Sequence, residues 1–343
     1  MKRSAYLLAL LLFLSVVLPA FSTPLVWAAE DSWTTLEPMP TERAWLGVAV
    51  VDGKIYAIVD TINYEYDPST NSWTTKTPMP TPRNGFGIAV VENKIYVIGG
   101  GTVINEAYDP TTDTWETKAP MNIARSGLSA SVINGKIYCI GGNRGEPTYS
   151  GVSATEVYDP STDTWTTAHQ IPTPVTGHVS AVVNNKIYII GGAIGVTLNQ
   201  IYDLETDAWS TGAPLPTGVD SAAAGVTAGT TGTQRIFVIG GKQNLDAVKL
   251  NQVYDPETDT WVYGPAMPTA RYSLGVAVVN DSIYAIGGRE GWFGSPVSAA
   301  NEKYTPADFI PEFPSLSILV AGVSVVLILS VFFRQKIKKG RKT

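Results

Sequence analysis

Residues 88–115 read IAVVENKIYVIGGGTVINEAYDPTTDTW, and this stretch decides the fold. Two apolar, β-branched runs, residues 88–91 and 94–98, flank Glu92-Asn93. Such runs suit strands, and a two-residue link of side chains that accept positive φ makes a tight hairpin. The second run stops at Gly99-Gly100. A third ends in Tyr108-Asp109-Pro110, where proline sets φ and the aspartates bond nearby backbone, so the chain turns. A fourth strand starts at Trp115. The unit is therefore four antiparallel strands, A to D.

Working outward, the unit repeats. Trp33, Trp73, Trp115, Trp165, Trp209 and Trp261 follow one another at 40, 42, 50, 44 and 52 residues. The last five each close a block such as YDPSTNSW (66–73) or YDPETDTW (254–261). Short strands at this period are the mark of a propeller. The blades are expected at about 43–73, 83–115, 125–165, 175–209, 219–261 and 271–304. The final unit has no Trp strand, and residues 31–38, around Trp33, form such a strand without a blade. The N-terminal strand should therefore complete the last blade and hide an edge that would otherwise lie open.

The order of double glycine, tyrosine and, after a short turn, tryptophan resembles the kelch family from Trp33 to Tyr304. The resemblance implies an all-β, six-bladed propeller. Two blades depart from the pattern. Val59-Asp60 replaces the double glycine of the first, and residues 227–234 replace the tight A–B turn of the fifth.

The ends point to export and a membrane. Met1-Lys2-Arg3, an apolar run to about Phe21 and small residues at Ala28 and Ala29 read as a signal peptide over 1–28. An uncleaved signal anchor is the alternative. Residues 316–333 carry no charge and span about 27 Å as a helix, close to a hydrocarbon core. The basic tail 334–343 places that end in the cytoplasm, so the propeller, followed by a stem at 306–315, is expected at the cell surface as a single-pass protein. Pro311-Glu312-Phe313-Pro314 resembles the stems of archaeal surface proteins, which implies exchange of the helix for a lipid.

Eight of the 24 cations lie in the two ends and all 30 acids lie between Glu30 and Glu312, leaving the part outside at about −14. That argues against nucleic acid as a partner. The lone Cys139 excludes an intrachain disulfide, so the core alone must hold the domain.

The D–A and B–C loops share one face and hold the length variation, which makes that face the candidate site. Arg43, Arg83, Arg125 and Arg271 occupy one repeat position, thirteen residues before the strand B aromatic. Val175 fills it in blade four and Ser221 in blade five, aligned through Gly225. The arginines are expected to form a half-ring at the channel mouth, with Arg144 and Arg289 in the rim loops, and guanidinium forks suit an anionic group. In the kelch propellers of ubiquitin-ligase adaptors, matching arginines take acidic peptides. The alternative is that they bond loop carbonyls and acids within the fold. Trp45, Tyr149, Trp292 and Phe293 are aromatics outside the repeat, suited to an interface.

His178 fills a strand A slot held elsewhere by leucine or phenylalanine and is expected to be packed. Two histidines without an acid or cysteine cluster suggest no metal, and no cofactor motif occurs. The leading reading is a binding module for an extracellular glycan, peptide or envelope protein. Resemblance to exported sialic acid mutarotases keeps an enzyme in view, through pairs such as Arg289-Glu290 and Arg144-x-Glu146. A purely structural envelope subunit is the third.

Overall fold

The computed structural model describes residues 31–145, 150–193, 196–227, 233–292 and 294–306. The signal segment, the helix at 316–333 and the basic tail lie outside the described residues, as does all of the stem but Pro306.

Six four-stranded antiparallel sheets surround one axis. Blade 1 is Gly47–Val51, Lys54–Val59, Ile62–Asp67 and Ser72–Thr75, and blade 2 is Phe86–Val91, Lys94–Gly99, Asn105–Asp109 and Thr114–Lys118. Blade 3 is Ser126–Ile133, Lys136–Asn143, Thr155–Asp159 and Thr164–Thr167, and blade 4 is Val179–Val183, Lys186–Ile190, Asn199–Asp203 and Ala208–Thr211. Blade 5 is Ala223–Thr227, Arg235–Ile239, Asn251–Asp255 and Thr260–Tyr263. Blade 6 is Gly275–Val279, Ser282–Ile286 and Asn301–Thr305, completed by Ser32–Thr35. Trp33 lies opposite Tyr304, so the first strand of the chain closes the last blade as expected.

Local chemistry explains the strands. Glu92-Asn93, Asn184-Asn185 and Asn280-Asp281 all have positive φ, as the A–B turns demand. Strand A alternates between buried and half-buried residues, whereas strand B is buried at nearly every position because blades cover both its faces. The strands A of successive blades neighbour one another all the way around the axis.

The repeat residues stitch the blades together. Each Trp packs its ring against the strand C tyrosine of its blade, with centroids 4.9–5.1 Å apart. Each also donates its indole N–H to a linker carbonyl of the preceding blade, as Trp115 does to Thr77 at 2.9 Å. The turn residue two before the Trp is a second junction. Asp163, at φ 53, accepts the Tyr158 hydroxyl at 2.6 Å and the Ala119 N–H at 2.8 Å. These bonds hold its carboxyl below the usual carboxylate range.

Cys139 is wholly buried and its thiol is pushed up to about 12 by that burial, so it serves as a small apolar residue.

Candidate functional site

At the start of each strand A, within the strand in blade 3 and one or two residues before it elsewhere, one residue sits in the left-handed region. These are Trp45, Gly85, Gly127, Gly177, Ser221 and Ser273, with φ between 52° and 65°. Their backbones form a chain of hydrogen bonds around the axis. Each N–H donates to the carbonyl of its counterpart in the preceding blade: Gly127 to Gly85 at 2.7 Å, Gly177 to Gly127 at 3.0 Å, Ser221 to Gly177 at 2.9 Å, Ser273 to Ser221 at 2.7 Å and Trp45 to Ser273 at 2.8 Å. The sixth link, from Gly85 N–H to the Trp45 carbonyl, is not made. The ring thus opens between blades 1 and 2.

Two cavities adjoin this ring. The inner one, about 120 Å³, is walled by the next residue of each blade, including Leu46, Phe86, Leu128 and His178. The outer one, about 420 Å³, lies among the D–A and B–C loops. Its wall is built from Asn84, Ser126, Thr176 and Asp220, one position after the arginine slot, and from Asn143, Ala193 and Lys242, which follow the double glycines. Trp45 borders both cavities.

Charge in the outer cavity is internally matched. Lys242 Nζ lies 3.3 Å from Asp220 and 5.6 Å from the centroid of the Tyr272 ring. Trp45 meets Tyr272 edge-on at 6.5 Å and is 41% exposed. A bulky residue at positive φ costs about 1–3 kcal/mol, a strain that persists where the surroundings or a function require it.

The arginine half-ring is not formed. Arg83, Arg125 and Arg271 are buried, and their guanidiniums turn into the blades rather than toward the mouth. Arg83 pairs with Glu106 and donates to the Val97 carbonyl at 2.8 Å. Arg125 pairs with Glu156 at 2.8 Å, and Arg271 with Glu302 at 2.7 Å. The reason is a second repeat position, in strand C, that supplies the carboxylate. Blades 4 and 5 carry Val175 and Val219 in the arginine slot and, at the strand C position, Gln200 and Gln252. Blade 1 has Tyr64 there, bonded to Thr41 at 3.1 Å. Arg43 accordingly makes no ion pair with the described residues, and its guanidinium donates to the Glu42 carbonyl at 2.8 Å.

The blade five register also needs correction. Gly225 lies opposite Phe237 as Ala49 lies opposite Tyr56, which puts Val219 and not Ser221 in the arginine slot. Ser221 instead matches Trp45 in the ring.

Of the remaining candidates, Arg144, Arg289 and Trp292 are described, and all three stand in loops that follow double glycines. Arg144 is exposed. Arg289 is half-buried and donates to the Ser295 carbonyl of its own loop. Trp292 is 66% exposed. Tyr149, Phe293 and Glu146 lie outside the described residues. Among the described residues no three His, Cys, Asp or Glu side chains group as a metal set. The cavity-wall residues missed by sequence reasoning had one available signal. They occupy two repeat columns that differ from blade to blade, beside columns that stay constant.

His178 is buried and its Nε2 lies 2.9 Å from the Ser129 hydroxyl. Burial, aided by the charge of Arg125, lowers its pKa to about 4 from 6.5. The folded imidazole stays neutral while the unfolded one takes a proton below about 6.5. Stability is therefore full above that pH and falls as pH drops toward 4, by about 3 kcal/mol in all. His169 shifts the other way, raised by Asp207, but it is exposed and its effect is small. His178→Leu, the residue of blades 1, 3 and 6, should flatten this slope in denaturant unfolding at pH 7 and pH 5. A slope that survives the substitution would assign it to other groups.

The KLHDC2/KLHL20/DRC7 Kelch-repeats domain model matches residues 45–210 and, in a second overlapping placement, 103–288. A solved structure described as "Structure of YjhT" superposes with a TM-score of 0.67 over 78% of this chain and 95% of its own, at 18% identity, a likeness of fold. The repeat residues, the six closed blades and the family match agree: the chain belongs to the kelch-repeat β-propeller family.

Proposed function

We propose that this chain is a cell-surface binding module that receives an extracellular glycan, peptide or envelope protein at the mouth on its D–A/B–C loop face. The supporting observation is the 420 Å³ cavity, whose wall residues differ from blade to blade on an otherwise repeated scaffold. Kelch propellers commonly serve in protein interaction. A pocket of this size with a few convergent polar groups suits a small ligand group. The signal-like residues 1–28 and the charge-free run 316–333 motivate placement outside the membrane.

Intact cells carrying the full chain should bind members of a labelled glycan or peptide panel at their surface. Asn84→Arg, which fills the mouth from an exposed position, should remove that binding and leave the melting temperature unchanged. Binding untouched by Asn84→Arg would move the site elsewhere, and a chain found in the aqueous fraction without detergent would refute the anchor.

A second reading, acid–base chemistry on a sugar ring, is favoured by the juxtaposition of Asp220 and Lys242 in the cavity wall. It requires turnover that Asp220→Asn abolishes. Ligand binding without turnover leaves the module.

A further inference from the structure

Trp45 stands where its own backbone disfavours it. The counterparts in the other blades are glycine or serine, and the ring they form needs no side chain at this point. Packing does not explain the tryptophan either. It is 41% exposed, and its ring contact is an edge with Tyr272. The six repeat tryptophans all place their indole N–H on a carbonyl, whereas the Trp45 indole N–H bonds to none of the described residues. The break in the backbone ring falls at the same residue, and Trp45 and Gly85, which it separates, both line the outer cavity.

What fits this wall is constrained by its chemistry. An anion finds Asp220 as near as Lys242, and the guanidiniums of Arg83, Arg125 and Arg271 are buried away from the mouth. A wholly apolar group would cover the Asn84 amide, which among the described residues makes one long bond of 3.4 Å to Asp60, and the Asp220–Lys242 pair without offering either a partner. An uncharged ligand with many hydroxyls and one apolar face meets both demands. That describes a pyranose ring, whose C–H face packs on an aromatic plane while its rim hydroxyls bond amides.

We propose that Trp45 is the stacking platform for a neutral sugar residue bound in the mouth. The sugar's hydroxyls are held by Asn84 and by the Gly85 N–H and Trp45 carbonyl left unjoined in the ring. This inference rests on the mouth being the binding surface.

The test titrates the full-length chain with neutral oligosaccharides, acidic oligosaccharides and a peptide library, read by tryptophan emission and by calorimetry. Neutral sugars should saturate the shift. Trp45→Gly should weaken them roughly tenfold or more, since the platform is lost, with a melting temperature unchanged or raised by relief of the backbone. Trp292→Ala should bind as the parent does. Undiminished affinity in Trp45→Gly, or a melting point lowered by several degrees, would mark Trp45 as a packing residue and overturn the inference. Acidic sugars preferred over neutral ones overturn it as well. Peptides that bind and are lost in Asn84→Arg would sink the sugar inference while the mouth reading stands. If nothing binds at the mouth, both fall.

Discussion

Arg271→Val should destabilise the propeller by about 3–5 kcal/mol, because it leaves Glu302 buried without its counter-charge. Arg271 is fully buried, and its guanidinium also satisfies the Gly287 carbonyl at 2.5 Å and the Ala285 carbonyl at 3.2 Å. On a domain this large the melting temperature should fall by roughly 10 °C. The protein carries its own control. Blades 4 and 5 combine valine with glutamine at the same two positions, and Gln200 and Gln252 bind the Thr173 and Thr217 backbone instead. Thr269 stands at the matching place in blade 6. Arg271→Val with Glu302→Gln should therefore recover most of the loss. A double-mutant cycle by denaturant unfolding measures the coupling. Additive effects, or a single-mutant cost under about 1 kcal/mol, would show that the pair does not act as a unit.

Removal of residues 31–40 should cost the most, since it opens the ring. Ser32–Thr35 pair with residues 302–305, and the Leu36 and Met39 N–H groups donate to the Asn301 and Ala299 carbonyls at 2.9 Å each. Trp33 adds a stack on Tyr304 at 5.1 Å and a bond to the Pro265 carbonyl in blade 5. Without this segment, the strand Asn301–Thr305 becomes an exposed edge, open to pairing with another chain. The truncated protein is expected to lose its single cooperative unfolding transition and to aggregate. Trp33→Ala keeps the strand and should cost about 2–3 kcal/mol, less than a fully buried tryptophan because Trp33 is half-exposed. Calorimetry of both variants checks the ranking. A truncated chain that unfolds as cooperatively as the parent would mean that the blades hold the ring without the closure.

Buried ion pairs and strand closure are effects on stability, and they differ in kind from the mouth. Three of the guanidiniums that sequence reasoning placed at the mouth, those of Arg83, Arg125 and Arg271, belong instead to the scaffold. Arg43 is the informative case. Its blade has Tyr64 in the carboxylate position, and its side chain turns to the Glu42 carbonyl near the surface. One change in strand C redirects an arginine 21 residues earlier in the chain.

The fold, the blade count and the closure by Trp33 were determined by the sequence itself. They rest on short-range signals repeated in five or more of the six blades: apolar alternation, turn residues that accept positive φ, and the Tyr-to-Trp spacing. The buried role of His178 was legible for the same reason, since it stands in a column of apolar residues. Where the arginines point was decided by tertiary structure alone. Arg83 and Glu106, or Arg125 and Glu156, are 23 and 31 residues apart and meet because strands A and C, one strand apart in the sheet, both begin at the loop face. The mouth also emerged at that level. Asn84, Ser126, Thr176 and Asp220 are unremarkable in their own segments, and become one wall because six blades close around an axis. Trp45 is an ordinary loop aromatic in the sequence. Its positive φ, and the break in the backbone ring beside it, exist because the ring imposes one conformation on all six blades, whichever side chain a blade supplies.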